Sequence, residues 1–234
     1  LFDAFVTSTL SYACEIWGFG KSKVIERIHI KFCKQLLHVK TSTSNIGVYG
    51  ELARYPLYIN RYVRIIKYWC NILNSRNIIV TYLYQSLLNG CNRGVRNWAS
   101  YVKNLLDSYG FSYIWSNPTS VHVNSFPVEF KQRVLDVFKQ TWYNDLCLNN
   151  SLCTYRTFKE SFQYEYYLDI LPKMYRIALT RLRLSSHPLR IETGRYGNNR
   201  IDRYLRYCTI CNIDIEDEYH FILVCEKYTE LRHS

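Results

Sequence analysis

The run RYCTICNIDIEDEYHFILVC, Arg206 to Cys225, decides how the end of this chain must fold. It reads Cys208-x2-Cys211-x8-His220-x4-Cys225. Two cysteines separated by two residues can grip one metal from a tight turn. A histidine and a cysteine on the next segment then close a tetrahedron. Three thiolates and one imidazole suit zinc, so one zinc is the expected cofactor. Protein fills all four positions, which makes the ion structural rather than catalytic. The 27 residues from Cys208 onward can bury little core of their own, and a metal staple is the expected substitute. The bland alternative is three structural thiols and a chance histidine. A redox C-x-x-C is poorer, because no strand pattern precedes Cys208, whereas Arg203 and Arg206 do. One spacing resists a simple helix. Residues i and i+5 lie about 140° apart on an α-helix. Phe221, Val224, Tyr228 and Leu231 predict a helix over 218–231, so His220 is expected in an irregular first turn.

Immediately upstream the chain turns basic. From Pro172 to Tyr207 there are nine Lys and Arg residues and two acids, Glu192 and Asp202. Residues 208–234 hold six acids and two bases. Arginine predominates, and its planar fork matches phosphate oxygens. Arg181, Arg183, Arg190, Arg195, Arg200, Arg203 and Arg206 are the candidate nucleic-acid contacts. Tyr175, Tyr196, Tyr204 and Tyr207 interleave with them as possible stacking rings. The competing reading is a solvated face paired with the acidic stretch Asp214 to Glu218.

Further out, helical periodicity dominates. Phe2, Phe5, Val6, Leu10, Ala13, Ile16 and Trp17 recur at helical spacing. A second pattern joins Val24, Ile25, Ile28, Phe32, Leu36 and Leu37, with Lys23, Arg27, Lys31 and Lys34 outside. Ser44 could cap a short helix ending before Pro56. Leu57 to Leu73 predicts a long helix with Tyr62, Ile65, Ile66, Trp69, Ile72 and Leu73 inward, and Arg61, Arg64 and Lys67 on another side. Ile78 to Leu88 predicts a helix broken at Gly90 to Gly94. Another runs from Trp98 to a stop at Gly110. Residues 111–126 suggest a loop, and Pro127 a helix start. A helix is expected over 158–171, and a further one starts at Pro172. Pro188, Gly194 and Gly197 then break the pattern. The expectation is a mainly α fold in three consecutive parts: a helical body at 1–171, a basic helix and Arg-rich connector at 172–207, and a zinc-stabilised module at 208–234.

Composition narrows the class. Net charge is +11, from 30 Lys and Arg against 19 Asp and Glu, which favours polyanion partners. Nine cysteines without a secretory signal pattern indicate a reducing compartment, and the expected location is intracellular, nuclear and cytoplasmic. No apolar run is long enough to cross a membrane. No carboxylate pair suited to two-metal chemistry, no phosphate loop and no nucleophile elbow occurs. Catalysis by this chain alone is not expected.

The residues resemble a family. RYCTICNIDIEDEYHFILVCEKYTELR is similar to the zinc-binding segment that ends many reverse transcriptases of non-LTR retrotransposons. RLRLSSHPLRIETGR resembles the stretch before that knuckle. LSYACEIWG resembles the start of the thumb, through Tyr12, Glu15, Trp17 and Gly18. ELARYPL, Glu51 to Leu57, fits the same region with Ala53 where the family often has Gly. The resemblance implies an origin in an RNA-directed DNA polymerase, with the catalytic palm upstream. A start without Met agrees with a chain cut from something longer. It also implies RNA or DNA as partner, together with the upstream polymerase domains. The alternative is a non-enzymatic protein-interaction domain whose zinc cap closes a helical bundle. A cysteine hydrolase is a third and weaker reading.

Overall fold

A computed structural model describes residues 1–118, 122–196 and 200–233; Gly197 lies outside them. The described residues are mainly helical and contain no β-strand. Their one isolated bridge is antiparallel and pairs Tyr207 with Ile215. Contacts divide the chain into two units, each discontinuous in sequence. One comprises Leu1–His29 and Tyr55–Trp142, the other Ile30–Arg54 and Tyr143–Ser234. This partition differs from three consecutive parts, because residues 30–54 pack with the C-terminal half.

The first unit is built on the Leu57–Leu73 helix. Tyr62, Ile65, Ile66 and Trp69 are buried there with Val102, Leu105 and Leu106 of the Trp98–Ser108 helix, and with Phe126, Phe130 and Val134. Each such side chain contributes roughly 2–3 kcal/mol of burial. Trp69 keeps its ring N–H satisfied by donating to the Tyr84 hydroxyl at 2.8 Å. Arg61, expected on an outer side, is fully buried. The reason is Glu26. Its carboxylate accepts from the backbone N–H groups of Leu57 and Tyr58 at 3.0 and 2.8 Å, and Arg61 lies 3.4 Å from the same carboxylate. An acid at a helix N-terminus satisfies orphan donors and draws the cation inward.

Several expected elements differ. Residues 2–17 are not one helix. They form a π-turn at Phe2–Val6 and short helices at Thr7–Leu10 and Cys14–Trp17, broken where Ala13 takes φ +50°. Ser8 and Thr9 hydroxyls donate to the carbonyls of Ala4 and Phe5, a back-bonding that bends helices. The helix beginning at Ile78 continues through Gly90 to Asn92, and Asn77 caps it. The stretch 111–126 includes a short helix at Ser112–Ser116 that buries Ile114. Ser44 stands at the start of the Asn45–Leu52 helix, but its hydroxyl accepts from Asn149 instead of capping the helix.

The second unit holds a buried polar hub. Glu51 is fully buried and accepts from Arg183 and from the Tyr167 hydroxyl. Arg183 also pairs with Glu165 at 3.1 Å, and Glu165 pairs with Lys159. The rings of Tyr155, Phe158 and Tyr167 stand within 5.4–5.8 Å of the Arg183 guanidinium. This hub explains why 158–171 is not the expected helix. Lys159 is buried with its ammonium on the Gln163 carbonyl and Glu165, which fixes a non-helical turn between a helix that ends at Phe158 and the short helix Tyr167–Ile170.

Candidate metal centre

The first half of the centre is a tight hairpin. Cys208 N–H donates to Asp214 O at 2.8 Å, and Glu216 N–H donates to Arg206 O at 2.8 Å. The Tyr207–Ile215 bridge lies between these two bonds. At the tip Asn212 N–H returns to Cys208 O at 2.9 Å, with Asn212 at φ +58°. Asparagine tolerates that left-handed conformation, so the chain can reverse and carry Cys208 and Cys211 on one turn.

The second half solves the spacing problem. Asp217 accepts from His220 N–H at 2.8 Å and starts the turn. His220–Val224 is then a π-turn, closed by Cys225 N–H donating to His220 O at 2.8 Å. An i+5 to i hydrogen bond brings the sixth residue back beside the first. His220 and Cys225 therefore converge, where an α-helix would separate them. The helix expected over 218–231 is replaced by this turn, a 3-10 turn at Glu226–Tyr228 and a short helix at Thr229–His233.

The three cysteine sulfurs and a ring nitrogen of His220 all lie within 4.8 Å of one another. Cys211 Sγ stands 3.3 Å from His220 Nε2. Metal–ligand bonds of about 2.0–2.3 Å in a tetrahedron need ligand separations of about 3.5 Å, so these four side chains can hold one metal ion. Cys208, His220 and Cys225 are buried and Cys211 half-buried, and all three thiols are free of disulfides. The thiols differ. The Ile213 N–H bond above all pushes the Cys211 pKa down to about 7, outweighing its partial desolvation. Burial pushes the Cys225 thiol up.

The hairpin is anchored to the basic segment rather than hung from it. Glu216, only 8% exposed, accepts from Arg190 N–H at 2.9 Å, and its carbonyl accepts from Ile191 N–H at 3.0 Å. His187 meets Glu218 at 2.9 Å. These contacts remove Glu216 and Glu218 from a solvated acidic loop, and they give His187 a partner its sequence context did not suggest. The pairing of Glu216 with a helix start 26 residues away has no local sequence signal.

The arginines separate into two groups. Arg206 is buried and donates to the carbonyls of Ile201 and Ile191 at 2.9 and 2.8 Å. Arg183 is held in the Glu51 hub. Both are structural, and neither presents its guanidinium as a free phosphate ligand. Arg195 pairs with Glu192 at 3.0 Å, and Arg190 is half-buried near the Tyr207 carbonyl. Arg181, Arg200 and Arg203 are exposed. So are Tyr175, Tyr196, Tyr204 and Tyr207, at 68, 64, 78 and 44%. No helix is long and apolar enough to cross a membrane among the described residues. No protein-family model, no curated protein and no solved structure matches this chain.

Proposed function

We propose that this chain is the thumb-and-knuckle C-terminal part of a non-LTR retrotransposon reverse transcriptase, holding one structural zinc and binding RNA or DNA without the catalytic palm. The observation that carries the reading is the four-ligand cluster docked against a segment that exposes Arg181, Arg200 and Arg203 together with four tyrosines. Zinc is the metal because three thiolates and an imidazole form a soft, closed set that hard cations do not favour. Its role is to fix the hairpin, and with it the backbone of Arg190 and Ile191, through Glu216. The exposed cations take phosphates, and the exposed rings stack on unpaired bases.

The test is a salt titration on metal-loaded protein. Three phosphate contacts on a single strand give a log–log slope of about −2. Metal analysis should return one zinc per chain. Binding that is absent at low salt, or indifferent to salt, sinks the nucleic-acid reading.

A further inference from the structure

The four ligand side chains are unequally sheltered. Cys208, His220 and Cys225 are 1, 4 and 1% exposed, whereas Cys211 is only half-buried. It lies at the hairpin tip, flanked by Ile210 and Ile213, which are 46 and 69% exposed. A small reagent in solution therefore meets Cys211 Sγ first. A bound metal keeps its thiolates deprotonated at neutral pH, and the thiolate is the form that attacks. Further sulfurs lie behind the first, since the three thiols stand within 4.8 Å of one another. Cys208 is the partner on the same turn. That turn is closed by Asn212 N–H on Cys208 O at 2.9 Å. Residues three apart in such a turn lie within about 7 Å at Cα, and a disulfide spans roughly 4.4–6.8 Å. Cys225 stands on a separate turn, closed by its own N–H on His220 O at 2.8 Å, so pairing with it requires two elements to shift.

We propose that Cys211 is a site of oxidation by hydroperoxides, with Cys208 as the resolving thiol, so that the centre gives up its zinc when oxidised. The Cys211 thiolate attacks the O–O bond and becomes a sulfenic acid, and the leaving alkoxide (hydroxide from hydrogen peroxide) takes a proton from water. The Cys208 thiolate then attacks the Cys211 sulfur, the S–O bond breaks and hydroxide leaves. Two thiolates have lost two electrons to form one disulfide, and the hydroperoxide has been reduced to an alcohol, or to water. His220 and Cys225 remain, two ligands where the closed site has four, too few to retain the ion. The hairpin persists through its Cys208–Asp214 and Glu216–Arg206 backbone bonds, while the His220–Val224 turn loses the metal that ties it to the hairpin. The inference rests on the zinc reading above and is independent of nucleic acid.

The experiment treats the full zinc-loaded chain with an equimolar amount of hydrogen peroxide. A chromophoric chelator reads the released zinc, and differential alkylation with mass spectrometry maps each cysteine. Zinc release should track formation of the Cys208–Cys211 disulfide one for one, and a dithiol with added zinc should reverse both. Cys211 should oxidise about tenfold faster than the exposed Cys147 and Cys153, which lie outside the cluster. The double variant Cys147→Ser with Cys153→Ser leaves the ligands untouched and should release zinc at the unmodified rate. Oxidation first at Cys147 or Cys153 with zinc retained, or a disulfide that runs through Cys225, overturns the inference and spares the zinc reading. A sulfinic acid at Cys211 with no disulfide does the same. Reduced protein that holds no zinc overturns both.

Discussion

Arg183 and Glu51, 132 residues apart in the chain, meet in an ion pair at 2.7 Å. Glu51 is wholly buried and Arg183 is 11% exposed by side chain, so solvent screens the pair little. Removing one partner of a buried, hydrogen-bonded pair leaves the other charge uncompensated, at a cost of about 3–5 kcal/mol. Glu51→Gln and Arg183→Met should each lower the free energy of unfolding, measured by urea melt, by that much. Arg183→Lys should rescue little, since an ammonium cannot keep both acids in reach while lying among three rings. A melt within about 0.5 kcal/mol of the unmodified protein would mean that the hub is not what ties residues 30–54 to the C-terminal half.

Two alanines sit in a conformation that suits glycine. Ala13 has φ +50° and Ala53 has φ +46°. Ala53 follows the Asn45–Leu52 helix in a Schellman arrangement, with Ala53 N–H on Gly50 O and Arg54 N–H on Tyr49 O. A left-handed alanine costs about 1–2 kcal/mol, whereas glycine there loses about 0.4–1 kcal/mol through a freer unfolded chain. Ala53→Gly and Ala13→Gly should therefore each gain about 0.5–1 kcal/mol by urea melt.

The same caps show why parts of the fold were hard to read. His38 and Ser185 end helices in the same way at φ +54° and +50°, where a search for glycine finds nothing. Gly110, at φ +82°, marks its helix end openly, and that end was legible. Gly90 sits inside a helix, so its signal misled. The Leu57–Leu73 helix was legible because its inward face repeats at the helical period. The ligand set was legible because its spacing is local. The hub was not, since Glu51, Lys159 and Glu165 declare nothing until distant segments pack. The burial of Arg183 and Arg206 is hidden for the same reason: composition counts cations but does not say which are consumed inside.

Metal affinity should fall as pH falls. Binding needs thiolates, so each thiol still protonated competes with the metal, at about tenfold per pH unit. Cys211, pushed down to about 7, is half ionised near neutrality, and Cys225, pushed up by burial, must give up its proton. Affinity should therefore weaken by more than tenfold per unit between pH 7 and pH 6, and strengthen less steeply above pH 8. A chromophoric chelator competition reads this directly. Stripping the metal should expose amides of 208–225 to exchange, while those of the Leu57–Leu73 helix stay protected. Equal loss across both would show that the ion supports more than its own hairpin.

Arginine substitutions should separate along the line the structure draws. Arg200→Ala and Arg203→Ala remove exposed cations, so stability should stay within about 0.5 kcal/mol while the salt slope of nucleic-acid binding falls by about 0.7 for each. Arg206→Ala strips two carbonyls of a buried donor and should cost about 2–3 kcal/mol, with binding lost only as folded protein is lost. Salt slopes measured on the folded fraction decide it. If Arg206→Ala folds normally and flattens the slope as Arg203→Ala does, its guanidinium reaches phosphate after all, and burial is no guide to which arginines bind.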